Sequence, residues 1–427
     1  MRYAVGVMRA AAFAILLLMT VLPAVALAQP KCPADAAAAN VAARQTALLK
    51  QAVPEASSDV PLVIQAQLKA LRSALIAAVD AKMACLPPDF DSATIQRRLA
   101  QLLRANQPEK PFVPQTAASA DPMDAGAYGD DLKVAVSTPV NAPALRAIQV
   151  SYTIECGTDN MLLIFEPQAG RWRRSLGWWS GDVKEISDAF GDWLLYTIVP
   201  GPSGMRVAVA HGTAWCQSRF SSFGLNLLAP SADPNSPRVV WSTERDYSRL
   251  DFEPRLHASG DTFELRLHAD EMLFDMDDAF ERLVVYRYRV SGDQVTRIEP
   301  VAANARGFVE EWLEMPWEEA LAQNDPTHAV KLEAVHKEYE ASCKDTDDCT
   351  YWRSGPVQAC ATRDRFQVIM TTEQHRIVPG KPGGDVVPGP TYYFQLQQDN
   401  GYRLLAITTT PNPTCSGPDL MKKPGMR

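Results

Sequence analysis

The sequence predicts a multi-part α+β chain: an N-terminal helical hairpin, a central antiparallel all-β body of sandwich or propeller-like form, and a C-terminal helix packed on an antiparallel sheet. Three patterns carry that prediction. Apolar residues recur at helical spacing between about residues 36 and 105. Short β-branched and aromatic runs separated by Gly, Pro and Asp fill residues 145–300. A helical stretch after residue 306 leads into further strand-like runs.

The order along the chain begins with an export signal, residues 1–28. Arg2 and Arg9 precede an apolar run from Ala10 to Leu22, Pro23 ends it, and Ala26 and Ala28 supply the small residues of a cleavage site. Cys32 stands four residues past that cut, so it is not placed to become a lipidated N-terminus. No later stretch approaches membrane-spanning length free of charge, so no integral membrane segment is expected after signal removal. The expected compartment is the periplasm or the medium.

A helical hairpin segment follows at residues 29–106. Residues 36–53 are Ala-rich, and Leu62, Leu68, Leu71, Leu75, Ile76 and Val79 form an apolar stripe behind Pro61, which suits a first helical turn. Helices of roughly 30 and 35 Å packed antiparallel across the polar turn at residues 54–59 return Cys85 to Cys32. A Cys32–Cys85 bridge is therefore predicted. A third helix is placed from Ser92, as its N-cap, to about Ala105.

Residues 107–143 carry six prolines among Ala, Ser and Asp and read as a linker, interrupted by a short strand at residues 132–136. The expectation is a helical segment mobile relative to the rest. The β-rich domain is then placed at residues 144–305. Turn residues such as Ala169-Gly170, Gly260-Asp261, Gly292-Asp293 and, further on, Asn400-Gly401 supply the positive φ that hairpins need. An α+β C-terminal domain spans residues 306–416, with helices broken at Pro316, a helix start at Asp325-Pro326 and four strands. A disordered tail is expected at residues 417–427.

The cysteines bear on compartment. Cys32, Cys85, Cys156, Cys216, Cys343, Cys349, Cys360 and Cys415 are even in number, with no C-x-x-C pair, which favours disulfides over metal. Sequence neighbourhood pairs Cys156 with Cys216, Cys343 with Cys349, and Cys360 with Cys415. The formal net charge is −8 and becomes more negative by two once Arg2 and Arg9 are removed. Nucleic acid and anionic membrane are poor partners for such a chain. Arg171, Arg173 and Arg174 read as a solvated strand face.

No G-x-S-x-G, H-E-x-x-H, P-loop or G-x-G-x-x-G motif occurs. The densest functional-looking stretch is His211 with Trp215, Cys216 and Arg219, placed in a loop after a strand. There an imidazole, an indole and a guanidinium could line a ligand pocket, although a disulfide-pinned turn explains the same residues. Trp178 and Trp179, with Trp172 nearby, offer a flat stacking platform or simply core indoles. Asp275, Asp277 and Asp278 invite a calcium reading, but Ala279 and Phe280 break the EF-hand pattern and a solvated loop is favoured. His257 pairs with residue 264 rather than His268 across its hairpin, and His328 and His336 read as solvated helix positions. No catalytic residue, metal or cofactor is assigned. The expected role is non-enzymatic binding or envelope interaction with a protein, peptide or glycan, the alternative being a secreted hydrolase using carboxylates and His211.

Overall fold

Alternation of side chains along consecutive strands builds this molecule in layers. The computed structural model describes residues 32–51, 60–105, 128–154, 157–179, 181, 190–201, 204–213, 221–247, 249–250, 254–270, 282–342, 348–376 and 385–421. The segment expected to be an export signal, Cys156, Cys216 and Cys343 lie outside them.

Three helices come first: α1 (Ala34–Leu48), α2 (Leu62–Ala84) and α3 (Ser92–Leu103). The predicted Cys32–Cys85 bridge is present, with Cα atoms 5.9 Å apart, and closes the open end of the α1/α2 hairpin. The N-cap of α3 is Asp91 rather than Ser92. Its carboxylate accepts from Thr94 N–H at 2.6 Å, a stronger acceptor one residue earlier.

The body begins with a meander of β1 (Lys133–Ser137), β2 (Arg146–Ile154), β3 (Gly157–Gln168) and β4 (Arg171–Trp179). A second meander follows: β5 (Phe190–Val199), β6 (Arg206–Thr213), β7 (Ser221–Ala229) and β8 (Arg238–Tyr247). One pair, Thr158↔Phe190, joins the two into an eight-stranded sheet. The next sheet holds β9 (Arg249–Leu250), β10 (Arg255–Ser259), β11 (Thr262–Asp270), β12 (Arg282–Ser291) and β13 (Gln294–Arg297).

Period-two alternation assigns each face to a different core. On β3, Met161, Leu163 and Phe165 meet the helices, whereas Leu162 and Ile164 turn toward the second meander. On β5 and β6, Leu194, Ile198, Val207 and Val209 face back to β3, and Trp193, Val199, Ala208 and Ala210 face the third sheet. The body is thus helices, meander, meander, meander, stacked face to face. Every hairpin expected from a Gly- or Asn-containing turn forms, including His257 opposite Glu264.

The helices are docked on the first meander. Their core is continuous with Tyr128, Leu132, Val134 and Val136, all buried, so the part of the proline-rich stretch from residue 128 onward belongs to the sheet; residues 106–127 lie outside the described set. Arg72 of α2 holds Asp159 of β3 at 2.9 Å, with both side chains buried, and Tyr152 also donates to that carboxylate. Burial, with Asp159 beside it, pushes the Tyr152 hydroxyl well above its ordinary range. Arg174, expected on a solvated face, is instead paired with Asp80 of α2 at 2.9 Å and largely buried. By length and composition α2 is apolar enough to cross a membrane, but its apolar side (Leu68, Leu71, Leu75, Val79) is core here.

The C-terminal unit packs α4 (Ala305–Glu314), α5 (Trp317–Ala322) and α6 (Ala329–Ala341) on a sheet of β14 (Asp348–Ala359), β15 (Arg365–Arg376), β16 (Asp385–Gln398) and β17 (Tyr402–Thr408). Leu332 and Tyr339 of α6 meet Trp352, Phe394 and Leu396 in its core. His336 is not solvated as expected. It is buried between Trp312 and Trp317, with ring centroids 5.1 and 5.4 Å away, and its Nε2 lies 2.9 Å from the Met315 carbonyl. The unit is fastened to the body by Arg297 of β13, which reaches Glu311 at 2.5 Å and Glu319 at 3.3 Å and lies over the Tyr286 ring.

The expected tail is also structured through residue 421. Cys360–Cys415 is bridged, Ser416 and Leu420 donate to the carbonyls of Ala359 and Val357, and Asp419 pairs with Arg306 at 3.1 Å. Cys349 is disulfide-bonded too. These cross-links fit an oxidising, extracytoplasmic setting.

Candidate functional site

His211 and Trp178 come together, but not in a loop. His211 is the sixth residue of β6 and points into the space between the first two meanders, because Val207 and Val209 do. Trp178 of β4 points into the same space, and the two rings sit 5.2 Å apart. Asn226 Nδ2 lies 3.4 Å from His211 Nε2. Opposite His211 on β7 stands Gly224, where any side chain would strike the imidazole, so a glycine is required by close approach rather than by backbone angle. Trp179 belongs to the other face of β4 and packs toward the helices with Trp172, so the three indoles form no common platform. Trp215, Arg219, Asp275, Asp277 and Asp278 lie outside the described residues.

Burial lowers the His211 pKa to about 4, with a smaller opposing contribution from the Gly212 backbone. The imidazole is therefore neutral at ordinary pH and a feeble general base there. In the unfolded chain the same group takes its proton near pH 6.5. Between pH 6.5 and 4 the unfolded state binds more protons, so stability falls as pH drops through that window, by about 3 kcal/mol at most. A His211→Gln variant is expected to flatten this part of a stability–pH profile measured by urea unfolding. An unchanged slope would show that other groups set it.

A second feature has no counterpart in the sequence patterns. From Leu194 to Val199, β5 pairs among the described residues with β6 on one side only, since its contact with β3 ends at Phe190. Along its other edge runs a groove of about 470 Å³. One wall is the turn after β1, including Thr138, Pro139 and Val140, and the opposite wall is Leu256 and His257 of β10. Among the described residues no Asp, Glu, Lys or Arg lines it, which is selective in a chain with 22% charged residues.

Side-chain amides close the groove at both ends. Gln149 of β2, buried, donates through Nε2 to the Leu194 carbonyl at 2.9 Å. Asn141 donates through Nδ2 to the Ile198 carbonyl at 3.2 Å and to the Ala258 carbonyl of β10 at 2.9 Å. Since strand backbone groups point alternately to the two sides, outward carbonyls at 194 and 198 put the N–H and C=O of Tyr196 outward between them. The Tyr196 hydroxyl is engaged, 2.5 Å from the Oγ of Ser137, which also lines the groove. Burial raises its pKa above the ordinary value.

Nothing in the sequence marks these residues as a set. Asn141 and Gln149 precede their carbonyl partners by 57 and 45 residues, and the partners are main-chain atoms. No protein-family model matches the chain and no curated protein matches it, so any functional reading has to come from the site itself.

Proposed function

We propose that this chain is an exported, disulfide-stabilised binding protein that holds a protein, peptide or glycan ligand in the β5 groove. One observation carries the reading: a concave, uncharged slot of about 470 Å³ whose two ends are fixed by buried or bridging amides. A slot of that kind offers apolar walls for contact and a few fixed polar groups for orientation. The His211–Trp178 pair lies behind β5 in the inter-sheet core and supports the packing of that strand.

Val140 is 95% exposed on the lip of the groove, so Val140→Trp fills the entrance at little cost to the fold. The test exposes the oxidised, signal-free protein to a displayed random-heptapeptide library and to a glycan array. Binders recovered from either are expected to lose at least tenfold in affinity for Val140→Trp, with the melting temperature unchanged. Undiminished binding to that variant, or no binder from either source, overturns the reading.

A further inference from the structure

The geometry points to an extended polypeptide as the ligand, added as a strand to the open edge of β5 and uncharged where it lies in the groove. This rests on the groove being the ligand site. Tyr196 presents an N–H and a C=O on the same side, and a single residue of an antiparallel strand can exchange both hydrogen bonds with it. A polypeptide carries that donor–acceptor pair at every second residue along one edge. The amide groups of Gln149 and Asn141 already bond the carbonyls one step to either side, at residues 194 and 198, as a neighbouring strand would.

Asn141 shows that two strand edges meet here. Its Nδ2 spans from β5 to Ala258 of β10, the terminal strand of the next sheet, so the slot lies between edges of two sheets.

Several other edges are covered or lack donors, although β4, β8 and β13 also pair on one side only among the described residues. Gln96 Oε1 accepts from Val136 N–H on the outer side of β1. Gln323 and Asp325 bond both backbone groups of Leu404 on β17. Ser416 and Leu420 bond the carbonyls of Ala359 and Val357 at the C-terminal end of β14. The part of β16 that β17 does not reach carries Pro388 and Pro390, which have no N–H to offer. Those edges are covered or lack donors at these positions, whereas β5, among the described residues, leaves the Tyr196 donor and acceptor facing a groove between the Gln149 and Asn141 amides.

The probe is the tightest heptapeptide from the displayed library, resynthesised with one backbone nitrogen methylated at a time. Strand addition is expected to give a period-two pattern, with alternate methylations weakening binding at least tenfold and those between them tolerated. Amide exchange at Tyr196 is expected to slow when the unmodified peptide is bound, and Lys or Glu at central positions is expected to weaken binding. A flat methylation profile with unchanged Tyr196 exchange overturns strand addition; if Val140→Trp still abolishes binding, the groove reading survives that failure. Binding confined to the glycan array overturns the polypeptide assignment, and binding that ignores Val140→Trp overturns the groove itself.

Discussion

Replacing Arg72 by methionine is expected to lower folding stability by about 3–5 kcal/mol, the usual result of stripping one partner from a buried ion pair. Asp159 is 0% exposed and would lose its cation, with the Tyr152 hydroxyl and its other neighbours left to compensate. Arg72 also donates to the Gly181 carbonyl at 3.1 Å through both terminal nitrogens, so the same change frees an acceptor on the chain beyond β4. The effect is a matter of desolvation rather than of attraction. Replacing both partners, Arg72→Met with Asp159→Leu, is accordingly expected to recover much of the loss, because a matched apolar pair has no charge to strand. Chemical unfolding of the two variants decides this. A single variant within about 1 kcal/mol of the parent would show that water reaches Asp159.

Arg297→Met is expected to cost a similar amount, about 3–5 kcal/mol, and to change the shape of unfolding as well as its midpoint. Glu311 is 0% exposed and Arg297 is its cation, while the guanidinium also donates to the Val285 carbonyl and lies over Tyr286. These contacts run from the third sheet to α4 and α5, so they couple the β body to the C-terminal unit. Loss of that coupling should let calorimetry resolve two transitions where the parent shows one. A variant that unfolds in one step at the parent's temperature would place the coupling elsewhere, for example in the Val284↔Ala302 bridge.

How much of this was legible in the sequence depends on whether a feature is local. Hairpins were readable because their turns carry Gly, Asn or Asp where positive φ is needed, as at Gly170, Gly260 and Asn400. The Cys32–Cys85 bridge followed from helix lengths alone. What failed was anything that depends on which layer covers a face. Trp178 and Trp179 look like neighbours in the sequence and lie on opposite sides of β4. His211 reads as a loop residue beside Gly212, yet the sheet extends past it and buries it. His336 has a helical position that looks solvated until Trp312 and Trp317 close over it. The groove was invisible for a stronger reason: an unfilled strand edge is a property of what does not pair with it, and no residue in β5 announces that.

Stacking consecutive meanders has a consequence for biogenesis. Each sheet is made almost entirely from strands adjacent in the chain, and the two bridges with both cysteines among the described residues, Cys32 with Cys85 and Cys360 with Cys415, each close within their own layer. Contacts of short sequence separation form early and at low entropic cost. A polypeptide emerging N-terminus first into an oxidising space can therefore finish and cross-link one layer while the next is still being delivered.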